Sequence, residues 1–108
     1  SLPASLSPQV CGYLREELQF EGVIITDDLA MGAVADLFSP GEAAVLAIQA
    51  GDDLLCCTDY ATQYEAVLAA VLDGRISIDR LNEAATRVLL WKQELGLIDI
   101  AKEVSLCP

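Results

Sequence analysis

Gly22–Ala33 reads GVIITDDLAMGA, and the fold turns on how its middle is taken. Val23, Ile24, Ile25 and Thr26 are β-branched and lead directly into two carboxylates, Asp27 and Asp28. The run over 23–27 is too short for a helix and too rich in β-branching to favour one, so it predicts a buried strand. Acids at the end of such a strand stand on a rigid mount, and they either cap the next helix or act as reagents. Asp28, just before Leu29, is placed to accept from the free amides of a short helix expected over 29–35, so it reads as a cap. Asp27 is open to both roles.

Outward from this strand, local signals divide the chain. Ser7-Pro8 supplies an N-cap and a first-turn proline, with Val10, Leu14 and Leu18 at one-turn spacing, which predicts a helix over 8–18. Phe20-Glu21-Gly22 ends it. On the far side, Ser39-Pro40-Gly41-Glu42 is a capping box that opens an alanine-rich helix stopping at Gly51. A second buried strand is expected over 53–57. After it comes a helix capped by Asp59 or Thr62 and running to Asp73, ended by Gly74, and then a longer helix capped by Ser77. Leu81, Ala84, Ala85, Val88, Trp91 and Leu95 form one apolar face of that last helix, where Trp91 reads as packing.

Helices alternating with two largely apolar strands predict an α/β fold with parallel strands covered on both faces. Two strands and about four helices cannot supply that cover, so partner strands are expected from elsewhere. In such folds chemistry collects at the C-terminal ends of the strands, where Asp27 and Asp28 sit. Asp52 and Asp53 enter the second strand at its N-terminal end, where acids more often cap or anchor.

Composition narrows the field of functions. With 108 residues, 54% of them hydrophobic, the chain suits one domain over 1–108. Seventeen acids against six bases give a net charge of -11, with no basic patch to track phosphates, which argues against nucleic acid as a partner. Apolar runs break within about ten residues, short of the roughly 20 needed to span a membrane. The four cysteines, at positions 11, 56, 57 and 107, match no metal-ligand spacing, and the chain has no histidine, so neither metal nor cofactor is expected. Cys56 and Cys57 would point to opposite faces of the strand. All four read as reduced thiols, which suits the cytoplasm. Without a secretory leader or an initiator methionine, Ser1 reads as a cut end of something longer. A metal or phosphate-transfer site at Asp27 and Asp28 is a rival reading, opposed by the lack of a glycine-rich phosphate loop.

Several separate stretches resemble one family. GVIITDDLAMGA is similar to the nucleophile strand of glycoside hydrolase family 3, in its β-N-acetylglucosaminidase branch. Upstream, LPASLSPQVCGYLREELQFEGV resembles that family's P-A-S/T-L-S-P element, helix and L-R-x-E-L-G-F-x-G-V approach, with Gln19 where glycine is usual. Downstream, GEAAVLAIQAGDDLL and GRISIDRLNEAATRVLLWKQELGL resemble its E-A-A and closing R-I/V-L-x-x-K-x-x-L-G-L segments. The similarity covers nearly all of residues 2–97.

The resemblance implies the C-terminal portion of a (β/α)8 TIM-type barrel, a fold that needs about 250 residues. This chain would supply strands seven and eight with their helices. It implies a retaining β-N-acetylglucosaminidase that removes terminal N-acetylglucosamine from cell-wall muropeptide sugars. Asp27 falls on the family's nucleophile, and Met31, in the D-D-L-x-M pattern, falls where it would help floor the sugar pocket, although a Met about one turn beyond a strand is more often core. Members of this branch draw the acid/base from a mobile loop carrying a His paired with an Asp. With no histidine here, that group and the sugar-gripping residues would lie outside the chain. Thr58 and Asp59 occupy the rim, where CCTD departs from the family's proline-containing loop. The expected partners are a saccharide containing N-acetylglucosamine, and either the remaining part of the barrel or a second copy in a homodimer. The alternative from another class is a non-catalytic module that pairs through exposed strand edges.

Overall fold

A computed structural model of the chain describes residues 2–102, so Cys107 lies outside the described residues. A 3-10 turn over Ala4–Leu6 leads into α1 (Pro8–Gly12), where the Ser7 hydroxyl accepts from the Val10 amide and Pro8 takes the first turn. The helix expected over 8–18 keeps its α form only to Gly12. Over Tyr13–Glu17 it widens into a π turn, with the Leu18 N–H donating to the Tyr13 carbonyl at 3.1 Å. Gln19, at φ +52°, then reverses the chain.

Strand β1 (Ile25–Asp28) starts and ends later than the expected 23–27, and β2 (Leu54–Cys56) is shorter than 53–57. They pair in parallel, Ile25 opposite Leu54 and Asp28 opposite Cys56. Between those points the register slips, because the Cys56 amide donates to the Thr26 hydroxyl at 2.9 Å rather than to a backbone carbonyl. The helix expected over 29–35 is only α2 (Gly32–Ala35), a single turn.

Helix α3 (Pro40–Ala50) opens on the expected capping box: Ser39 Oγ accepts from the Glu42 amide at 3.4 Å and the Glu42 carboxylate accepts from the Ser39 amide at 3.2 Å. It stops at Gly51, whose φ of +124° suits glycine alone. Helix α4 (Tyr60–Leu72) has Asp59 at its N-cap position, but the Asp59 side chain makes no capping bond, and Thr62 lies inside the helix. Helix α5 (Ile78–Glu94) is capped by Ser77, whose hydroxyl accepts from the Arg80 amide at 3.1 Å.

The core gathers around α3. Ala43, Ala44 and Ala47 are fully buried against Leu6, Leu29 and Val34, with Leu55 and Val67 packed beside them. On its other flank, Val45 and Ile48 meet Ala70 and Ile76. Small side chains let α3 and α4 approach closely; a Cβ added at Gly41 would stand 2.9 Å from the Ala66 Cβ.

Two expectations about burial need correction. The strands are covered on one face only: Thr26 is 5% exposed whereas its neighbour Ile25 is 56% exposed. On α5 the apolar face is mostly open, with Ala84 its only buried residue, and Trp91 and Leu95 are exposed rather than packed. Both departures have one cause. Two strands leave one sheet face without neighbours, and the far length of α5 runs past the described core.

Candidate functional site

The chain carries two Asp-Asp pairs, one at each end of its short sheet, and their surroundings differ sharply. Asp52 and Asp53 precede β2. Both Asp53 side-chain oxygens are buried: one accepts from Arg15 at 2.5 Å and from the Ile24 amide at 3.1 Å, the other from Arg80 at 3.2 Å and Arg87 at 3.1 Å. Arg15 also donates to the carbonyls of Phe20 and Gly22, and Arg80 to those of Ile48 and Asp52. One carboxylate thus ties the π turn, the approach to β1, the entry to β2 and α5 into a knot, the anchoring role expected of an acid at this end.

Asp52 is 1% exposed and shares its place with the Cys11 thiol, which donates to Oδ1 at 3.9 Å, while Oδ2 has no partner among the described residues. Burial, and then the charge of Asp53, push the Asp52 carboxyl up to about 7, against opposing pulls from Arg80 and Cys11. Burial and the neighbouring Asp52 push Cys11 up to about 11, so this thiol stays protonated and unreactive.

Asp27 and Asp28 end β1. Asp27 lies on the open face with Ile25, its carboxylate exposed and its Oδ1 accepting from the Asp28 amide at 2.8 Å. Its own amide donates to the Ser5 hydroxyl at 3.0 Å, which ties it to the turn at the start of the chain. Asp28 is the last strand residue, not a helix cap. Its Oδ1 accepts from the Ala30 amide at 2.9 Å and its carbonyl from the Met31 amide at 3.1 Å, so it holds the turn that separates β1 from α2. The expected cap fails because the helix starts at Gly32, with Met31 at the N-cap and no side-chain bond there.

Met31 is 53% exposed beyond the end of β1 and belongs to no described core cluster. A cleft of about 420 Å³ opens behind this end of the sheet, lined by Leu29, Ala30, Phe38, Thr58, Asp59 and Gln63 among others. Neither Asp27 nor Met31 lines it. Among the described residues, no ion pair reaches Asp27 or Asp28, and the arginines that could neutralise them are engaged at the opposite end or with Asp73. Among the described residues, no three of His, Cys, Asp and Glu gather in a metal-binding group. Nor is any described helix long and apolar enough to cross a membrane.

Asp27 and Met31 stand at and just beyond the end of β1, as the sequence has them, whereas the bond from Ser5 was not foreseen. The signal was the serine ahead of Leu6-Ser7-Pro8, which reads as loop filler until the chain is folded. The rest of the site's geometry is what an exposed carboxylate on a strand end can do: among the described residues, one oxygen is held by a backbone amide, the other has no partner, and no cation neutralises the group.

The family model described as "Glycosyl hydrolase family 3 N terminal domain" matches residues 1–90. The chain is 34% identical over 85 residues to a beta-N-acetylglucosaminidase/beta-glucosidase of Cellulomonas fimi, covering 78% of this chain and 15% of that protein. Its structure is similar to a glycoside hydrolase family 3 beta-N-acetylglucosaminidase from Paenibacillus sp. str. FPU-7, with a TM-score of 0.83 and 42% identity, covering 90% of this chain and 19% of that one. It also matches the beta-N-acetylglucosaminidase from Thermotoga maritima, with a TM-score of 0.79 and 32% identity over 84% of this chain and 21% of the other. The chain spans between 15 and 28% of the length of the curated relatives it matches.

Proposed function

The chain belongs to glycosyl hydrolase family 3, and from that premise we propose that it forms the closing βα units of a retaining β-N-acetylglucosaminidase barrel with Asp27 as nucleophile. The observation that carries this reading is the exposure of the Asp27 carboxylate at the C-terminal end of β1, on the sheet face that no described element covers.

A retaining glycosidase needs an ionised carboxylate beneath the sugar and a proton donor beside the leaving oxygen. Asp27 supplies the first. The Asp28 amide holds Oδ1, which leaves Oδ2 to attack the anomeric carbon and form the glycosyl–enzyme ester as the leaving oxygen takes its proton. Rigid mounting on the strand reduces the reorientation needed for that attack. Asp28 holds the turn, and Met31, exposed beyond the strand end, is placed to contact the sugar.

With no histidine in the chain, we place the acid/base and the cationic sugar grip outside these 108 residues. The substrate we propose is a terminal N-acetylglucosamine of a muropeptide sugar, and the compartment is the cytoplasm, in keeping with the free thiols of Cys11, Cys56 and Cys57. For the open faces of β1 and α5 we propose the remainder of a barrel as cover. A second copy is the competing cover. Sedimentation of the 108-residue chain at micromolar concentration decides whether it self-associates, and a well-folded monomer removes the homodimer.

The decisive experiment is trapping of the full-length protein with a fluorinated N-acetylglucosaminyl fluoride followed by peptide mapping. The label is expected on Asp27. A label on Asp28, or on any other carboxylate, overturns the assignment.

A further inference from the structure

The Asp27 amide finds its partner 22 residues away in the chain. Ile24 accepts from Asp53 and Leu54 on the β2 side, and Leu29 donates to Cys56 on the same side. The Asp27 N–H goes instead to the Ser5 hydroxyl at 3.0 Å, in the turn that precedes α1.

Ser5 is half-buried in the 3-10 turn over Ala4–Leu6. That turn is fixed on both sides. Leu6, 1% exposed, anchors it in the core, its amide donating to the Pro3 carbonyl at 2.9 Å, and Ser7 caps α1 directly after it. The Ser5 oxygen is therefore carried by a turn with its own anchors in the core and in α1, besides its bond to Asp27.

We propose that Ser5 is a positioning residue for the Asp27 carboxylate. The inference rests on the reading of Asp27 as nucleophile. Its logic is geometric: the Asp27 side chain has two rotatable bonds, and both start from a backbone whose N–H is pinned by Ser5 while its Oδ1 is pinned by the Asp28 amide. Removing the first pin lets the end of the strand rock away from the sheet and carries the attacking oxygen with it. Misplacement of a reacting group by about 1 Å is enough to cost on the order of 100-fold in rate. Threonine presents the same hydroxyl oxygen.

The test measures the rate of covalent labelling in the full-length protein by a fluorinated N-acetylglucosaminyl fluoride, with the labelled residue mapped in every case. In Ser5→Ala, Asp27 should still take the label, at least about tenfold more slowly at saturation, with the reagent's saturation constant changed by less than about twofold. Ser5→Thr should restore the rate to within about twofold. Amide hydrogen exchange at Asp27 gives a second readout, protected in the parent and in Ser5→Thr and faster in Ser5→Ala. Labelling of Asp27 at an unchanged rate in Ser5→Ala overturns the role of Ser5 while leaving Asp27 as nucleophile. A slow rate that Ser5→Thr does not restore overturns it too. A label on another carboxylate in the parent protein overturns the nucleophile assignment, and the role of Ser5 falls with it.

Discussion

Asp27-Asp28 and Asp52-Asp53 are the same dipeptide at opposite ends of one small sheet, and the fold treats them in opposite ways. Around Asp53 three guanidiniums and a backbone amide saturate a carboxylate that no solvent reaches. Around the Asp27 carboxylate the described residues supply one amide and no guanidinium. Adjacent acids in a sequence therefore say little until the end of the strand they occupy is known. At the N-terminal end of this sheet they are built into the structure, whereas at the C-terminal end Asp28 holds a turn and Asp27 is left exposed.

The sharpest break of this comparison is to neutralise one member of each pair in the full-length protein. Asp27→Asn should lower kcat by on the order of 10³-fold or more, about 4 kcal/mol of barrier, with the melting temperature close to that of the parent. Asp28→Asn should lose far less, because an amide oxygen can still accept from Ala30. Steady-state kinetics on an aryl N-acetyl-β-glucosaminide measures both. Equal losses at the two positions would dissolve the distinction between reagent and turn holder.

Asp53→Asn reverses the pattern. It leaves three guanidiniums facing a neutral amide at side chains only 17–25% exposed. Breaking a buried ion pair on one side costs about 3–5 kcal/mol, and that loss should appear in denaturant unfolding. If Asp53→Asn unfolds at the same midpoint, the knot is ornamental and β2 is held by packing alone.

Asp52 sharpens the contrast within the anchoring pair. Its carboxyl rises from an ordinary value of 3.8 to about 7, through burial first and Asp53 second, with Arg80 and the Cys11 thiol acting against the rise. An acid whose folded value is raised binds its proton more tightly in the native state. Its contribution to stability is complete below about pH 4 and is lost as pH climbs through about 7. Asp52→Asn should flatten this part of the stability profile and raise stability at pH 8 by on the order of 1–3 kcal/mol. Urea titrations at pH 5 and pH 8 check it, and parallel profiles for parent and variant would show that Asp52 is ionised at both.

Much of the fold was legible because it is written in local chemistry. The caps at Ser7, Ser39 and Ser77 and the stop at Gly51 are decided by residues within one turn. So was the acidic end of β1, since an apolar β-branched run ending in acid marks a strand end. What escaped the sequence depends on contacts far apart in the chain. The Ser5–Asp27 bond spans 22 residues and the Asp53 knot as many as 38, distances over which no periodicity carries information. Trp91 misled for a related reason: an apolar helix face shows that something covers it, not that the cover lies within these residues.

The smallest effect concerns the bend that delivers Arg15 to the knot. Gln19 has φ +52°, the one non-glycine residue with positive φ among those described, at the position where the resembling family usually has glycine. The reversal there lets Arg15 donate to the carbonyls of Phe20 and Gly22 while its other arm reaches Asp53, and it brings the guanidinium 5.6 Å from the centre of the Phe20 ring. A side chain in this left-handed conformation costs about 1–2 kcal/mol. Glycine removes that cost but adds about 0.5–1 kcal/mol of chain entropy to the unfolded state. Gln19→Gly should therefore stabilise by a net of roughly 0.5–1 kcal/mol. Asn tolerates the same region without the added entropy, so Gln19→Asn should gain a similar or smaller amount, whereas Gln19→Val should destabilise. The order Val, Gln, then Asn and Gly in unfolding midpoint is the expected result. If Gly is no more stable than Gln, the bend is held by the Gln19 side chain itself, and the Arg15 arm of the anchoring end owes its geometry to a contact rather than to backbone strain.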